Sequence, residues 1–595
     1  MKNSLIVLVA FLAVLMCYCK SNHPLAPAEQ SKGYLLTNFD TLQAVATNKL
    51  LRLAATGPAD SVQAAFLETR RAYKQVEMFT EYYAPTASKE MNGAPLPELE
   101  IEETKSFEPS GLQVIEEYLF PEFEEGNREE LVREVKKFIS VSGRARVILE
   151  SMEFSDANVL AACKQEIFRI IVLGISGFDT PITATGIQEA AVSLKAVQKV
   201  LSFFGGNKLL EQLLQQAIAY TSENYDFDGF NRMAFIARFA NPITAELVRW
   251  QEELGIDPVD AKLVLNDKAA TLFDRNALNA NVFAGSAEAM ATPEKIALGK
   301  TLFFSPVVSG GTRTCGSCHK PELAFTDGLP KSAAVEEGKF VQRNAPTLYY
   351  ASLQHAQFYD MRASTLESQA VDVIRNKDEM HGSVEEAAFR LNQQVAYQQS
   401  FRQAFPQMET EIQPKHVMIA LASYVRSLTP FSSRFDRHMR GEEQLLTVQE
   451  VQGFNLFMGK AKCGTCHFLP VFNGTAAPSF NNTEAEVLGV LQDPRAPHPT
   501  LDSDEGRYIH SKMEELRYAF KTPTLRNIAK TAPYMHNGAY ETLEEVMNFY
   551  NKGGAQGLGL QLDNQTLPPD PLHLTEQEIQ SVIAFLHTLT DEVAP

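Results

Sequence analysis

Cys315-Gly316-Ser317-Cys318-His319 and Cys463-Gly464-Thr465-Cys466-His467 carry the strongest chemistry in the chain. Two thiols one helical turn apart, followed at once by an imidazole, can add to the two vinyl groups of a porphyrin and hold its iron from one side. The same thiol spacing also serves structural zinc, as tetrahedral thiolates, and thioredoxin-like redox pairs. The redox-pair reading wants a βαβ setting, which the surrounding sequence lacks. Two complete pentapeptides, each with its His, point to two covalently bound c-type haems with His319 and His467 as proximal ligands.

The elements that position these motifs repeat. Leu298-Gly299-Lys300-Thr301-Leu302-Phe303-Phe304 precedes the first motif, and Gly453-Phe454-Asn455-Leu456-Phe457 precedes the second. Downstream, Asn344-Ala345-Pro346-Thr347-Leu348 matches Lys521-Thr522-Pro523-Thr524-Leu525. Thr365-Leu366-Glu367 then matches Thr542-Leu543-Glu544 at an unchanged separation. Helices are expected over Val417 to Ser427 and Glu576 to Leu589. The fold class expected is all-α: two tandem cytochrome c-like haem domains, 292–440 and 441–595, preceded by a helical-bundle domain over 28–257 and a linker over 258–291. Helical pieces are expected in that linker around Ala261 to Phe273.

A chain of 595 residues is long enough for several cores, and its net charge of −19 argues against nucleic-acid binding. It suits a soluble partner with a basic patch. The N-terminus has a basic start, an apolar run from Leu5 to Met16, and then Cys17-Tyr18-Cys19. This pattern reads as an export signal over 1–19, too short to span a membrane. It resembles a lipoprotein signal acylated at Cys19, with Cys17 and plain cleavage as the alternatives. The expected location is periplasmic or cell envelope, with membrane attachment by N-terminal lipid alone. Cys163 lies in an apolar stretch and reads as a buried structural thiol.

Residues from about 292 to 592 resemble the bacterial di-haem cytochrome c peroxidase and MauG superfamily. The resemblance rests on the two motifs, Arg343-Asn344-Ala345-Pro346-Thr347, Phe358-Tyr359-Asp360, Gln369 with Glu379, and Thr531-Ala532-Pro533-Tyr534-Met535-His536. It implies an enzyme that reduces hydrogen peroxide to water with electrons from a small c-type cytochrome or copper protein. His319 would carry the peroxidatic haem and His467 the electron-transfer haem. A homodimer is compatible with the family.

An iron with an open axial position can bind peroxide, whereas one with two protein ligands can only move electrons. The family's sixth ligand on the electron-transfer haem is Met or Tyr, and its position here is Tyr550. The repeat equivalent of Tyr550 is Val373, which cannot ligate, so the His319 haem is expected to be open. Met535 is the alternative ligand, although its own repeat partner is Phe358. The resemblance further implies Glu379 as a general acid–base group and Gln369 as a hydrogen-bonding group for peroxide. It also implies a calcium ion between the haems, held by Asn344 and the carbonyls of Thr531 and Pro533.

Three departures bear on mechanism. The loop Ala334-Val335-Glu336-Glu337-Gly338 lacks the His that gates the peroxidatic iron in classical members. Tyr359 stands where the family often has an inter-haem Trp, and Val373 replaces a distal-pocket Pro. Two other readings stay open: a MauG-like oxidase acting on a protein or organic substrate through a high-valent state, and a plain electron-transfer cytochrome. In the N-terminal third, Phe66 to Pro85 and Gly111 to Glu116 resemble imelysin-like helical domains. Gln113 there replaces the His of that family's metal motif, and no His occurs between His23 and His319.

Overall fold

The computed structural model describes residues 25–100, 105–259 and 264–592. The expected export signal at 1–19 and its Cys19 lie outside these residues. Among the described residues, no helix is long and apolar enough to cross a membrane. The molecule is mainly helical, and one apolar core runs from Ala28 in the N-terminal third to Leu589 near the C-terminus.

The N-terminal third is built from amphipathic helices, among them Pro27–Val45, Ala59–Tyr73, Arg128–Ser151, Asp156–Arg169, Gly186–Leu201 and Asn241–Glu253. Three carry single stretches of wider π-type winding, at Ala46–Leu51, Ile170–Gly174 and Ile236–Ala240. Inside the bundle lies a buried ionic network. Arg70 clasps Glu189 through Nε and Nη2 at 2.6 and 2.9 Å. Lys74 donates to Glu77 and Asp179, each at 2.7 Å, and Arg169 forks onto both oxygens of Asp179 at 2.7 and 2.8 Å. Asp179 is thereby held well below the usual carboxylate range, because these two cations outweigh its burial. Gln113 donates to the Asn92 carbonyl at 2.9 Å, and Glu116 accepts from the Thr183 backbone and hydroxyl. The polar core is therefore filled by guanidinium and ammonium groups.

One expectation needs correction. The linker has no helix among its described residues. From Leu265 it runs through turns and one isolated bridge, Leu265 with Leu278. Its Asn and Asp side chains capture backbone N–H groups that a helix would need. Lys268 donates to Asn266, Ala270 to Asp274 and Asn281 to Asn279, at 2.8–3.0 Å. The mainly helical fold is accompanied by two short antiparallel strand pairs, Glu98–Glu100 with Lys105–Phe107 and Ala485–Val487 with Ala519–Lys521.

The two C-terminal halves share one plan. Pro293–Phe303 crosses Pro414–Arg426, and Val448–Phe457 crosses Glu576–His587. Both crossings are close because a glycine sits at the contact. A Cβ on Gly299 would lie 1.9 Å from the Ala420 carbonyl oxygen, and one on Gly453 1.9 Å from that of Ser581. The helices Leu366–Arg375 and Leu543–Asn551 begin at equivalent capping boxes, with Thr365 accepting from Ser368 N and Thr542 from Glu545 N. The N-terminal third joins the second half directly. Phe178 meets Phe468 edge-on at 5.7 Å, Met233 N donates to Asn455, and Arg232 lies against Gly459.

Candidate active site: two cysteine–histidine motifs and the seam between them

Each Cys-x-x-Cys-His motif opens as a single tight turn, Cys315–Ser317 and Cys463–Thr465. The backbone N–H of each His closes it onto the first Cys carbonyl, at 3.0 and 2.9 Å. Both imidazoles are oriented through Nδ1, leaving Nε2 for a metal. His319 Nδ1 lies 2.8 Å from the Phe325 carbonyl, and His467 Nδ1 lies 3.2 and 3.1 Å from those of Phe472 and Pro523. Pro346 serves His319 as Pro523 serves His467. The prolines of the repeated Pro-Thr-Leu element are thus acceptors that fix the ring planes. Burial pushes His467 down to about 4, which keeps its imidazole neutral and ready to ligate.

The four motif cysteines are free and stay partly accessible although they lie deep in the fold. Burial pushes the Cys315 and Cys463 thiols up to about 12, so they are thiols and not thiolates. Side chains that are deep yet accessible line internal space. Tyr550 is of the same kind, and its phenol is pushed far above its usual range by burial and by the neighbouring Cys466, Cys463 and Glu486. Tyr550 therefore lies near enough to the thiols of the second motif to feel their charge. Glu486 faces the same space; burial raises its carboxyl to about 7, and it accepts from Thr566 Oγ1 at 2.5 Å.

Val373 and Tyr550 occupy the same turn of their helices, counted from Thr365 and Thr542. Met535 and Phe358 also match, both with left-handed backbone at φ 69° and 65°. Met535 packs in the small cluster that holds Tyr540, Phe549 and Tyr550. In the first half, Gln369 and Val373 lie on Leu366–Arg375, with Glu379 just beyond its end. Glu379 accepts from Asn376 Nδ2 at 2.7 Å, and its carbonyl takes an N–H of Arg313 at 3.1 Å. Burial raises its carboxyl above the ordinary range, against the pull of Arg362 and the Asn376 bond. Arg362 was not singled out by sequence reasoning. Its guanidinium stacks on Phe358 at 3.4 Å and pairs with Asp360.

The seam between the halves holds Asn344, Tyr359 and His536. Asn344 donates through its backbone to the His536 carbonyl at 2.8 Å and through Nδ2 to the Leu329 carbonyl at 2.9 Å. Its Oδ1 faces the Tyr359 hydroxyl at 3.5 Å. His536 stacks on Phe520 at 3.7 Å and reaches Asp502 at 3.4 Å. Thr531 is followed by Ala532, which joins Pro533 through a cis peptide bond. Among the described residues, no group of His, Cys, Asp and Glu side chains is arranged to hold a metal ion.

Comparison with known proteins decides the family. The model of the di-haem cytochrome c peroxidase family matches residues 293–444. The methylamine utilization protein MauG of Methylorubrum extorquens is 35% identical over 304 residues, covering 51% of this chain and 80% of that protein. The chain belongs to the di-haem cytochrome c peroxidase family. The cytochrome c551 peroxidase of Nitrosomonas europaea is 32% identical over 50% of this chain and 79% of its own length. A crystal structure of a MauG-like protein associated with microbial copper homeostasis matches 52% of this chain and 92% of its own, at 30% identity and a TM-score of 0.44.

Membership in the di-haem peroxidase family brings two covalently bound c-type haems, one per motif. The residues fit them: paired free thiols, imidazoles with Nε2 available, and partly accessible side chains deep around each motif. Sequence reading had no signal for Glu486, Arg362 or Lys521. Each is a lone charged residue whose role appears only when distant segments meet.

Proposed function

We propose that this di-haem family member reduces hydrogen peroxide to water with electrons from a small redox protein, which enter through the His467 half and are used at the His319 half. The overall reaction takes up two electrons and two protons and yields two waters. The observation that carries the assignment of roles is the pair Val373 and Tyr550: equivalent positions, one aliphatic and one phenolic, with the phenol near Cys463 and Cys466. A haem held by Cys315, Cys318 and His319 would supply an open iron face for binding and reducing peroxide.

Around that face, Glu379 takes the proton from the near peroxide oxygen and returns it to the far one. Asn376 fixes the carboxyl, and Arg362 balances its charge. Gln369 orients the incoming oxygen by hydrogen bonding. Val373, being aliphatic, would offer no ligand to an iron held there. In the second half, Tyr550 would be a ligand to the iron of a haem held by Cys463, Cys466 and His467, with Met535 as its rival, and Tyr359 stands in the seam as a stepping point for electrons. Asn344 Oδ1, with the carbonyls of Thr531 and Pro533, offers hard oxygens to a calcium ion.

A MauG-like oxidase acting on a protein or organic substrate is favoured by two features: the phenolic ligand and the loop 334–338 without His. The N-terminal third, resembling imelysin-like domains, serves as a fixed docking or stabilising domain, since Lys74 and Arg169 fill its polar core. The sequence over 1–19 supports export to the periplasm, with a lipid on Cys19.

Electron paramagnetic resonance of the diferric protein tests this reading. One high-spin and one low-spin signal are expected, with peroxide consumed when a reduced donor is supplied. Loss of both signals on peroxide alone would select the oxidase reading. Two low-spin signals indifferent to peroxide would refute an open His319 haem.

A further inference from the structure

Lys521 ends the strand Ala519–Lys521, and Arg507 lies alongside it, with its N–H on the Ala519 carbonyl at 2.9 Å. Both side chains reach across the seam to segment 356–360 of the first half. Lys521 Nζ donates to the Ala356 carbonyl at 3.1 Å, and Arg507 Nη1 to the Asp360 carbonyl at 3.0 Å. Their partners are carbonyls, not carboxylates. Among the described residues neither makes an ion pair, and Arg507 Nε is buried with no acceptor.

The carboxylates nearby are already engaged. Asp360 takes Arg343 at 2.5 Å and Arg362 at 2.9 Å, and His510 stands 3.3 Å away. Asp504 takes Arg343 at 2.6 and 2.9 Å. Arg343, clasped by two carboxylates, is pushed above its ordinary range, whereas burial pushes Lys521 down to about 7 and lowers Arg507. Lys521 is only 9% exposed. Asp360 acts on both Lys521 and Arg507 but is already shared by Arg343 and Arg362, so buried Lys521 and half-buried Arg507 stand together without a carboxylate of their own, which is costly.

The position identifies the missing anion. Lys521 precedes Pro523, whose carbonyl orients His467, by the same two residues that separate Asn344 from Pro346, whose carbonyl serves His319. The seam therefore adjoins the proximal side of both motifs, and a c-type haem carries two propionate carboxylates on the edge opposite its thioether links. We propose that Lys521 and Arg507 form a carboxylate-binding site in the seam and that its ligand is a haem propionate. This rests on the two-haem reading and adds the group that orients a haem edge toward the other half. Either haem could supply the carboxylate.

The test uses the holoprotein, produced with haem labelled by 13C at the propionate carboxyls. Lys521→Met, Arg507→Gln and the charge-keeping Lys521→Arg are compared with the parent by haem content per chain, by redox-difference infrared spectra, and by titrations in which resonance signals separate the two haems. Lys521→Met and Arg507→Gln should each shift a labelled carboxylate band and lower the midpoint potential of one haem, since a nearby cation favours the reduced state. Lys521→Arg should restore both. The haem that moves is the one that supplies the carboxylate. Two haems per chain with bands and potentials unmoved in Lys521→Met and Arg507→Gln would overturn the proposal alone. A parent with fewer than two haems would overturn the underlying reading and this site with it. If Lys521→Met fails to accumulate, Arg507→Gln on its own decides between these results.

Discussion

Glu379→Gln tests the proton-transfer step without disturbing the fold. The amide oxygen of Gln can keep the 2.7 Å bond from Asn376 Nδ2, and the Arg313 bond is to the backbone carbonyl and is untouched. The stability change should therefore stay within about 1 kcal/mol, the scale of one altered hydrogen bond. The rate effect should be larger, because positioned acid–base groups contribute about 100- to 10,000-fold. At about 1.4 kcal/mol per tenfold, that adds roughly 3–5 kcal/mol to the barrier.

The pH dependence supplies a second readout. Burial holds the Glu379 carboxyl above the ordinary range, so its ionised, proton-accepting form is lost as pH falls through that raised value. The parent should show an acid limb displaced to higher pH than for a free glutamate, and Glu379→Gln should show none. Stopped-flow measurement of peroxide consumption by the reduced protein between pH 4 and 8 gives both quantities (roughly the window in which a raised carboxyl titrates). A variant within threefold of the parent, with the same acid limb, would refute the role of Glu379.

Tyr550→Phe removes the phenol oxygen and keeps the ring, so the low-spin resonance signal of the second haem should become high-spin; an unchanged signal would reassign the ligand, with Met535 next. Asp436→Asn strips the counter-charge from fully buried Arg526, which forks onto Asp436 at 2.7 and 2.8 Å. The expected loss in denaturant unfolding is about 3–5 kcal/mol. Because the Asp436 carboxyl is depressed in the folded state, its contribution is complete above the unfolded pKa and fades as pH falls through the folded one, so the variant should also lose acid sensitivity. Gly459→Ala places a Cβ 2.7 Å from Arg232 Nη1. That guanidinium is pinned by the carbonyls of Ile175, Phe227 and Phe230, so strain of about 1–3 kcal/mol should appear as faster hydrogen exchange on both sides of the contact.

The parts legible in the sequence were those written locally or written twice. The haem motifs need only five consecutive residues. The repeat makes each half a control for the other, which is how Val373 and Tyr550 could be paired and how Met535 fell opposite Phe358. Thr365 and Thr542 were legible as matching elements of the repeat, and the structure shows both as helix caps. The linker misled because its apolar residues have helical spacing while Asn266, Asp274 and Asn279 hold the backbone in turns. The short strands, the ionic core around Lys74 and the cations at 507 and 521 depend on segments far apart in the chain. No spacing rule reports them.

The contact of Phe178 and Arg232 with Phe468 and Gly459 has a consequence for how the protein is made. The N-terminal third leaves the ribosome first, and its mating surface belongs to a segment more than two hundred residues later (236 from Arg232 to Phe468). Until that segment arrives, the face around Phe178 has no cover. Phe468 directly follows His467, so the cover over Phe178 and the imidazole of the second motif sit on adjacent residues. A shift of that short segment would therefore disturb the second motif's imidazole and the domain contact together.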